Sequence, residues 1–193
     1  MSSSRSAAVL LVAAICACAT AASAQTAVGY SPADVRFMQG MIGHHAQALR
    51  MTALVPSRSA RADVKLLAER IEASQLSEIA LMTQWLRVRG QEVAAADGHQ
   101  HVHGPGGGEA RMPGMLTDQE LAALAAARGA DFDRLFLESM IRHHQGALTM
   151  VAGLFATNGA GQEPELFRLA SDVDADQRAE IARMQAMLGA PAR

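Results

Sequence analysis

Thiols are almost absent from this 193-residue chain: its two cysteines, Cys16 and Cys18, both fall within the first two dozen residues. If that stretch is removed, the rest can form no disulfide and offers no thiolate, so any metal it takes must be held by other donors. Aromatic residues make up 4%, with a single Trp and a single Tyr, and charged residues make up 19% with a net charge of −2. No basic stripe is available to neutralise phosphates, which excludes a chain built to bind nucleic acid. A hydrophobic content of 50% excludes a disordered chain and is enough for a sizeable core. Catalytic motifs are missing as well. There is no Gly-x-Ser-x-Gly turn, no cysteine nucleophile beyond Cys18, and no glycine-rich loop between a strand and a helix. The chain reads as a binder rather than an enzyme.

Against these absences stand eleven Met and seven His. The first 24 residues read as a secretory signal peptide. Arg5 supplies a positive start, residues 7–20 form an uncharged apolar run, and Ala22-Ser23-Ala24 offers a small-x-small cleavage site before Gln25. The run is short for a membrane span of about 20 residues, and no later stretch is long and apolar enough to be one. The mature chain, residues 25–193, is therefore expected in the periplasm or outside the cell as one domain.

That mature chain is one unit written twice. Phe37, Met41-Ile42, His44-His45, Ala48-Leu49 and Met51 recur 99 positions later as Phe136, Met140-Ile141, His143-His144, Ala147-Leu148 and Met150. Leu67-Ala68, Gln75, Glu78-Ile79-Ala80, Met82 and Leu86 recur at an offset of 102 as Leu169-Ala170, Gln177, Glu180-Ile181-Ala182, Met184 and Leu188. Each half, about 31–90 and 117–189, reads as helix, turn, helix. Ser31-Pro32-Ala33-Asp34 caps the first helix and Pro56 stops it; the second runs from about Ala60 to Arg89 and ends at Gly90. Asn158-Gly159-Ala160-Gly161 turns between the third and fourth, and Gly189 with Pro191 closes the last. Thr117-Asp118-Gln119-Glu120 is a capping box for a short extra helix ended by Gly129. Residues 97–114, rich in His, Gly and Pro, read as an exposed loop, and nothing reads as a strand. Two packed αα-hairpins make an all-α four-helix bundle.

At about 100° per residue, Gln39, Gly43, Gln47 and Arg50 share one side of the first helix, opposite an apolar side of Phe37, Met41, Ala48, Met51 and Val55. His45 sits on that apolar side and His44 on its flank; His144 and His143 repeat the pattern. The inward stripe of the second helix is Leu67, Ile71, Gln75, Glu78, Met82 and Leu86, and that of the fourth is Leu169, Val173, Gln177, Glu180, Met184 and Leu188. One inward Met is ordinarily a gap-filler, and one inward His paired with Glu is ordinarily structural. Four His, two Glu and six Met in matching phase are a costly way to fill a core, and that conjunction points to metal binding. Thioether donors suit Cu(I), and imidazole suits copper in either oxidation state. The candidate ligand sets are Met41, His44, His45 and Met51 in one half and Met140, His143, His144 and Met150 in the other, with Met82 and Met184 contributed by the partner helices. Gln75, Glu78, Gln177 and Glu180 are candidates to orient the imidazoles from behind. His99, His101 and His103 in the loop form a separate weak Cu(II) candidate, and Met112 and Met115 offer two accessible thioethers that could pass Cu(I) inward.

Met112-Pro113-Gly114-Met115, Phe132-Asp133, Met140-Ile141-x-His143-His144-x-Gly146-Ala147 and the paired Gln-x-x-Glu-Ile-x-x-Met segments at 75–82 and 177–184 resemble the bacterial domain of unknown function numbered 305. The resemblance spans about residues 30–189. It implies a ferritin-like four-helix bundle and copper handling connected with tolerance or delivery, with copper-transport proteins or cuproenzymes as partners. Gly146 stands where the first repeat has Gln47, so the two half-sites need not be equivalent. Two other readings stay open. A metal-free helical bundle could serve as a partner-binding module. A di-iron or di-manganese enzyme would need Glu-x-x-His twice, a motif this chain lacks.

Overall fold

A computed structural model describes residues 29–93, 102–103, 109–110 and 112–189; the expected signal peptide and the loop histidines His99 and His101 lie outside these. Four long helices make the body: α1 (Pro32–Thr52), α3 (Ala62–Val88), α5 (Gly129–Ala156) and α6 (Pro164–Gly189). Two short ones join them, α2 (Val55–Arg58) and α4 (Asp118–Ala126). The chain is all-α as expected, with one small departure. Within the loop between the two halves, β1 (Val102–His103) pairs antiparallel with β2 (Glu109–Ala110), Val102 opposite Ala110.

Local chemistry sets the helix ends. Ser31 and Asp34 cap α1 reciprocally, each side chain bonded to the other's backbone N–H, with Pro32 in the first turn. Thr117 and Glu120 do the same for α4. Pro56 does not simply stop the first helix; it sits in the first turn of α2, a one-turn connector, so α3 begins two residues later than the sequence suggested.

α1 packs on α3, α5 on α6, and α1 on α5. The two hairpins run antiparallel, so each apolar cluster draws on both repeats. One holds Phe37, Met41, Met82 and Trp85 with Val151 and Leu166. The other holds Met51, Val64 and Ile71 with Phe132, Met140 and Met184. The expected inward stripes are buried except at Glu180, which is partly exposed, and at Leu188, which is 37% exposed; at the end of α6 its neighbour Met187 packs instead.

Asp34 ties the repeats together. It is 0% exposed, caps its own helix, and through Oδ1 accepts the N–H of Gly161 at 2.7 Å. Gly161 has φ +69°, and a β-carbon there would strike the Phe155 ring at 2.7 Å, so this turn between α5 and α6 requires glycine. Asp34→Ala removes both the cap and the pin and is expected to cost about 2–4 kcal/mol. A thermal melt that matches wild type would show that the Gly161 contact contributes nothing.

Candidate metal centre

Adjacent residues on a helix point about 100° apart, so each His-His pair splits its side chains between two neighbours. His45 turns to α3 and donates its Nε2–H to Glu78 Oε2 at 2.5 Å; His144 turns to α6 and donates to Glu180 Oε2 at 2.6 Å. His44 and His143 face each other across the α1–α5 seam, ring centroids 3.9 Å apart and planes at 37°. His44 also donates its Nε2–H to the Pro113 carbonyl at 3.0 Å. All four imidazoles are 0% exposed.

Burial, reinforced by the neighbouring His45, pushes His44 down to about 3. Burial and then the facing His44 push His143 well below the ordinary histidine value. Both rings are therefore neutral near pH 7. With Nε2 committed to Pro113, His44 presents a bare lone pair at Nδ1. The Nδ1 atoms of His44, His45 and His144 have no hydrogen-bond partner, nor does either nitrogen of His143, either amide atom of Gln75, or Oε1 of Gln177. Leaving a polar atom buried in this way costs about 1–3 kcal/mol, and natural cores avoid it. Unpaired imidazole lone pairs in a dry layer fit a metal ion's needs. Among the described residues no three His, Cys, Asp or Glu side chains converge to hold one by themselves. Buried thioethers and amides are the other side-chain donors in this part of the core.

Met41, Met51, Met82, Met140 and Met184 are all 0% exposed. Their grouping differs from the repeat-by-repeat sets expected from sequence. Met41 and Met82 share one cluster, and Met150 packs against it; Met140 and Met184 share the other with Met51. Met51 and Met150 lie two turns beyond the histidines, and antiparallel packing carries each into the other repeat's end of the bundle. Each thioether group is therefore composite.

A strap, residues 112–116, fills the groove between α1 and α5. Leu116 bonds the Gln47 side chain through both backbone groups, accepting from Nε2 at 3.0 Å and donating to Oε1 at 2.7 Å. Gly146 makes room for it: a β-carbon there would come within 2.0 Å of the Pro113 oxygen. Gly114, at φ +75°, turns the strap against the α5 backbone. Two expectations are corrected here. Gln47, assigned to the polar side of α1, is 3% exposed because the strap covers it. Met112 and Met115, read as accessible, are 5% and 8% exposed, the Met112 sulfur lying against Gly40 of α1.

Sequence reasoning missed the Pro113 carbonyl, which no side-chain pattern announces. It also missed Met38, fully buried in the cluster of Met41 and Met82. The break between Gln47 and Gly146 was the one visible sign of the strap. Of the loop candidates, His103 falls in the β1–β2 ladder, and His99 and His101 lie outside the described residues.

The family described as domain of unknown function (DUF305) matches residues 34–188. A DUF305 fragment from Deinococcus radiodurans has a similar solved structure, with 36% identity and a TM-score of 0.70; the match covers 83% of this chain and 97% of that one. A DUF305 protein from Streptomyces coelicolor, inferred to be secreted, is 27% identical with a TM-score of 0.69, covering 84% and 94%. CopM in its Cu(I)-bound form is 29% identical with a TM-score of 0.61, covering 80% and 94%; Cu(II)-bound and Ag-bound forms of CopM are also similar. Among curated proteins nothing matches.

Two outcomes follow from this geometry. Gly146→Ala drives a β-carbon into strap backbone that has nowhere to move, and is expected to cost about 1–3 kcal/mol. Faster amide exchange at Leu116 should accompany the loss, and an unchanged rate would show the strap is not held there. Acid should also weaken the metal-free chain. His44 and His143 take up protons when unfolded but not when folded, so stability is full above about pH 6.5 and falls as pH drops. The slope is about 1.4 kcal/mol per pH unit for each ring. Urea unfolding between pH 6.5 and 5 follows this fall; Asp63, Glu120 and Glu163 titrate below that window with their lowered values, and Asp176, raised by burial, acts in the opposite sense. A flat profile in that window would exclude two neutral buried imidazoles.

Proposed function

The chain belongs to the DUF305 family, and from that premise we propose that it is an exported copper-binding protein which holds Cu(I) between methionine and histidine side chains in the bundle core. The observation that carries this reading is the layer of four imidazoles at 0% exposure whose Nδ1 atoms have no partner, flanked at both ends by buried thioethers. Copper-bound and silver-bound structures of CopM, at 28–29% identity, support it. Soft neutral donors suit Cu(I) and need lose no proton to bind it, as befits a chain without thiols outside its leader.

The residues divide the work. Nδ1 of His44, His45 and His144 and either nitrogen of His143 are the nitrogen donors. Met41 with Met82, and Met140 with Met184 and Met51, are the sulfur donors at the two ends. Glu78 and Glu180 fix the tautomer by accepting the Nε2–H of His45 and His144, which aims Nδ1 and raises its basicity. Copper is cargo, and the role is sequestration, tolerance or delivery to a partner protein rather than catalysis. Export rests on the leader-like first 24 residues. It is compatible with the described helices, none of which is long and apolar enough to cross a membrane.

An anaerobic Cu(I) titration against a chromophoric competitor tests the proposal. The wild type should bind stoichiometrically and melt at higher temperature when loaded. Replacing His44, His45, His143 and His144 together by Ala should abolish tight binding, and Glu78→Gln should weaken it by about 10–100-fold. If the wild type fails to outcompete even a weak chelator, and apolar replacements of the four imidazoles merely raise the melting temperature, the bundle is a metal-free module.

A further inference from the structure

Met112 and Met150 come from distant parts of the chain and close on one point. A β-carbon built on Gly40 would lie 3.4 Å from the Met150 methyl and 3.6 Å from the Met112 sulfur. Both thioethers thus rest on the same bare turn of α1. Gly40 precedes His44 by one turn on the same face, about 6 Å along the axis, and the residue after Met112 is Pro113, whose carbonyl sits on His44. Met112 is buried and Met150 only partly so. The pair therefore spans the step from the protein surface to the histidine layer.

The matched turn at the other end of the bundle is built from different residues. The repeat equivalent of Gly40 is Ser139 and that of Met150 is Met51. There the strap engages Gln47 through the backbone of Leu116. Filling volume beside Gly40 needs no sulfur, since leucine has nearly the same size. What two methionines add is a pair of soft donors that need not lose a proton.

We propose that Met112 and Met150 form a separate two-thioether site for a soft monovalent cation, Cu(I) or Ag(I), through which the ion reaches His44 and His143. Two thioethers hold such an ion less firmly than a site that adds imidazole, so transfer runs inward. The sulfur site stands on its own geometry; the inward transfer rests on the copper reading of the core.

Silver titration of the chain carrying 13C-methyl methionine, followed by NMR, tests this directly. The methyl resonances of Met112 and Met150 should move in the wild type once the tighter histidine layer is filled, and with the first equivalents of Ag(I) in the variant lacking His44, His45, His143 and His144. The volume-conserving double variant Met112→Leu/Met150→Leu should take up one ion fewer and capture Cu(I) several-fold more slowly in stopped flow, with its thermal melt near wild type. If those two resonances stay still in the wild type, or move only when the histidines are present, the separate site is overturned. If they move while the four-histidine variant binds as many ions as wild type, the core reading fails and the sulfur site stands.

Discussion

Two neutral imidazoles pressed face to face at 3.9 Å, one from each repeat, occupy the place where α1 meets α5. Water cannot reach them, so neither can gain a proton cheaply, and each needs a partner that an apolar core does not supply. Much of the surrounding structure answers that constraint. Pro113 gives His44 one acceptor, and Glu78 and Glu180 orient the outer rings. Gln47 and Gly146 hold the strap that brings Pro113 into place. The Nδ1 atoms are left over. A fold that leaves this many lone pairs bare at its centre has traded stability for a receptive interior.

Periodicity made the helices, the repeat and the inward set legible, because those depend on spacing alone. His44, His45, His143, His144, Gln75, Glu78, Gln177 and five of the six core methionines occupy buried positions that 100° spacing indicates. How the two hairpins pair was not legible. Spacing cannot say whether Met51 meets Met41 or Met140, and the antiparallel answer moves Met51 and Met150 to opposite ends from those a repeat-by-repeat reading assumes. Gln47 shows the same limit. A polar residue on a polar helix side reads as exposed until a separate segment covers it, and here backbone groups of Leu116 engage both ends of its amide.

The departures from repeat symmetry are as informative as the repeat. Gln47 against Gly146 is a change from a long amide to no side chain at all, and both are explained by one object lying over them. Asp34 and Asp133 make a similar contrast. The first accepts from Gly161 and joins the hairpins, whereas Oδ1 of its repeat partner is buried without a bond. Duplication supplied two equal halves, and single differences at matched positions then assigned them different duties.

The antiparallel packing of the hairpins has a topological consequence. Each hairpin starts and finishes at the same pole: the first at the pole of Tyr30 and Trp85, the second at the opposite pole with Gly129 and Leu188. A chain leaving the first hairpin must therefore travel the full length of the bundle, roughly 30 Å for a helix the size of α1, before the second can begin. No tight turn can make that journey. The strap and α4 are this traverse, and the groove beside the histidines lies on their route. A crossover demanded by connectivity alone thus gives an otherwise two-sided bundle a front and a back.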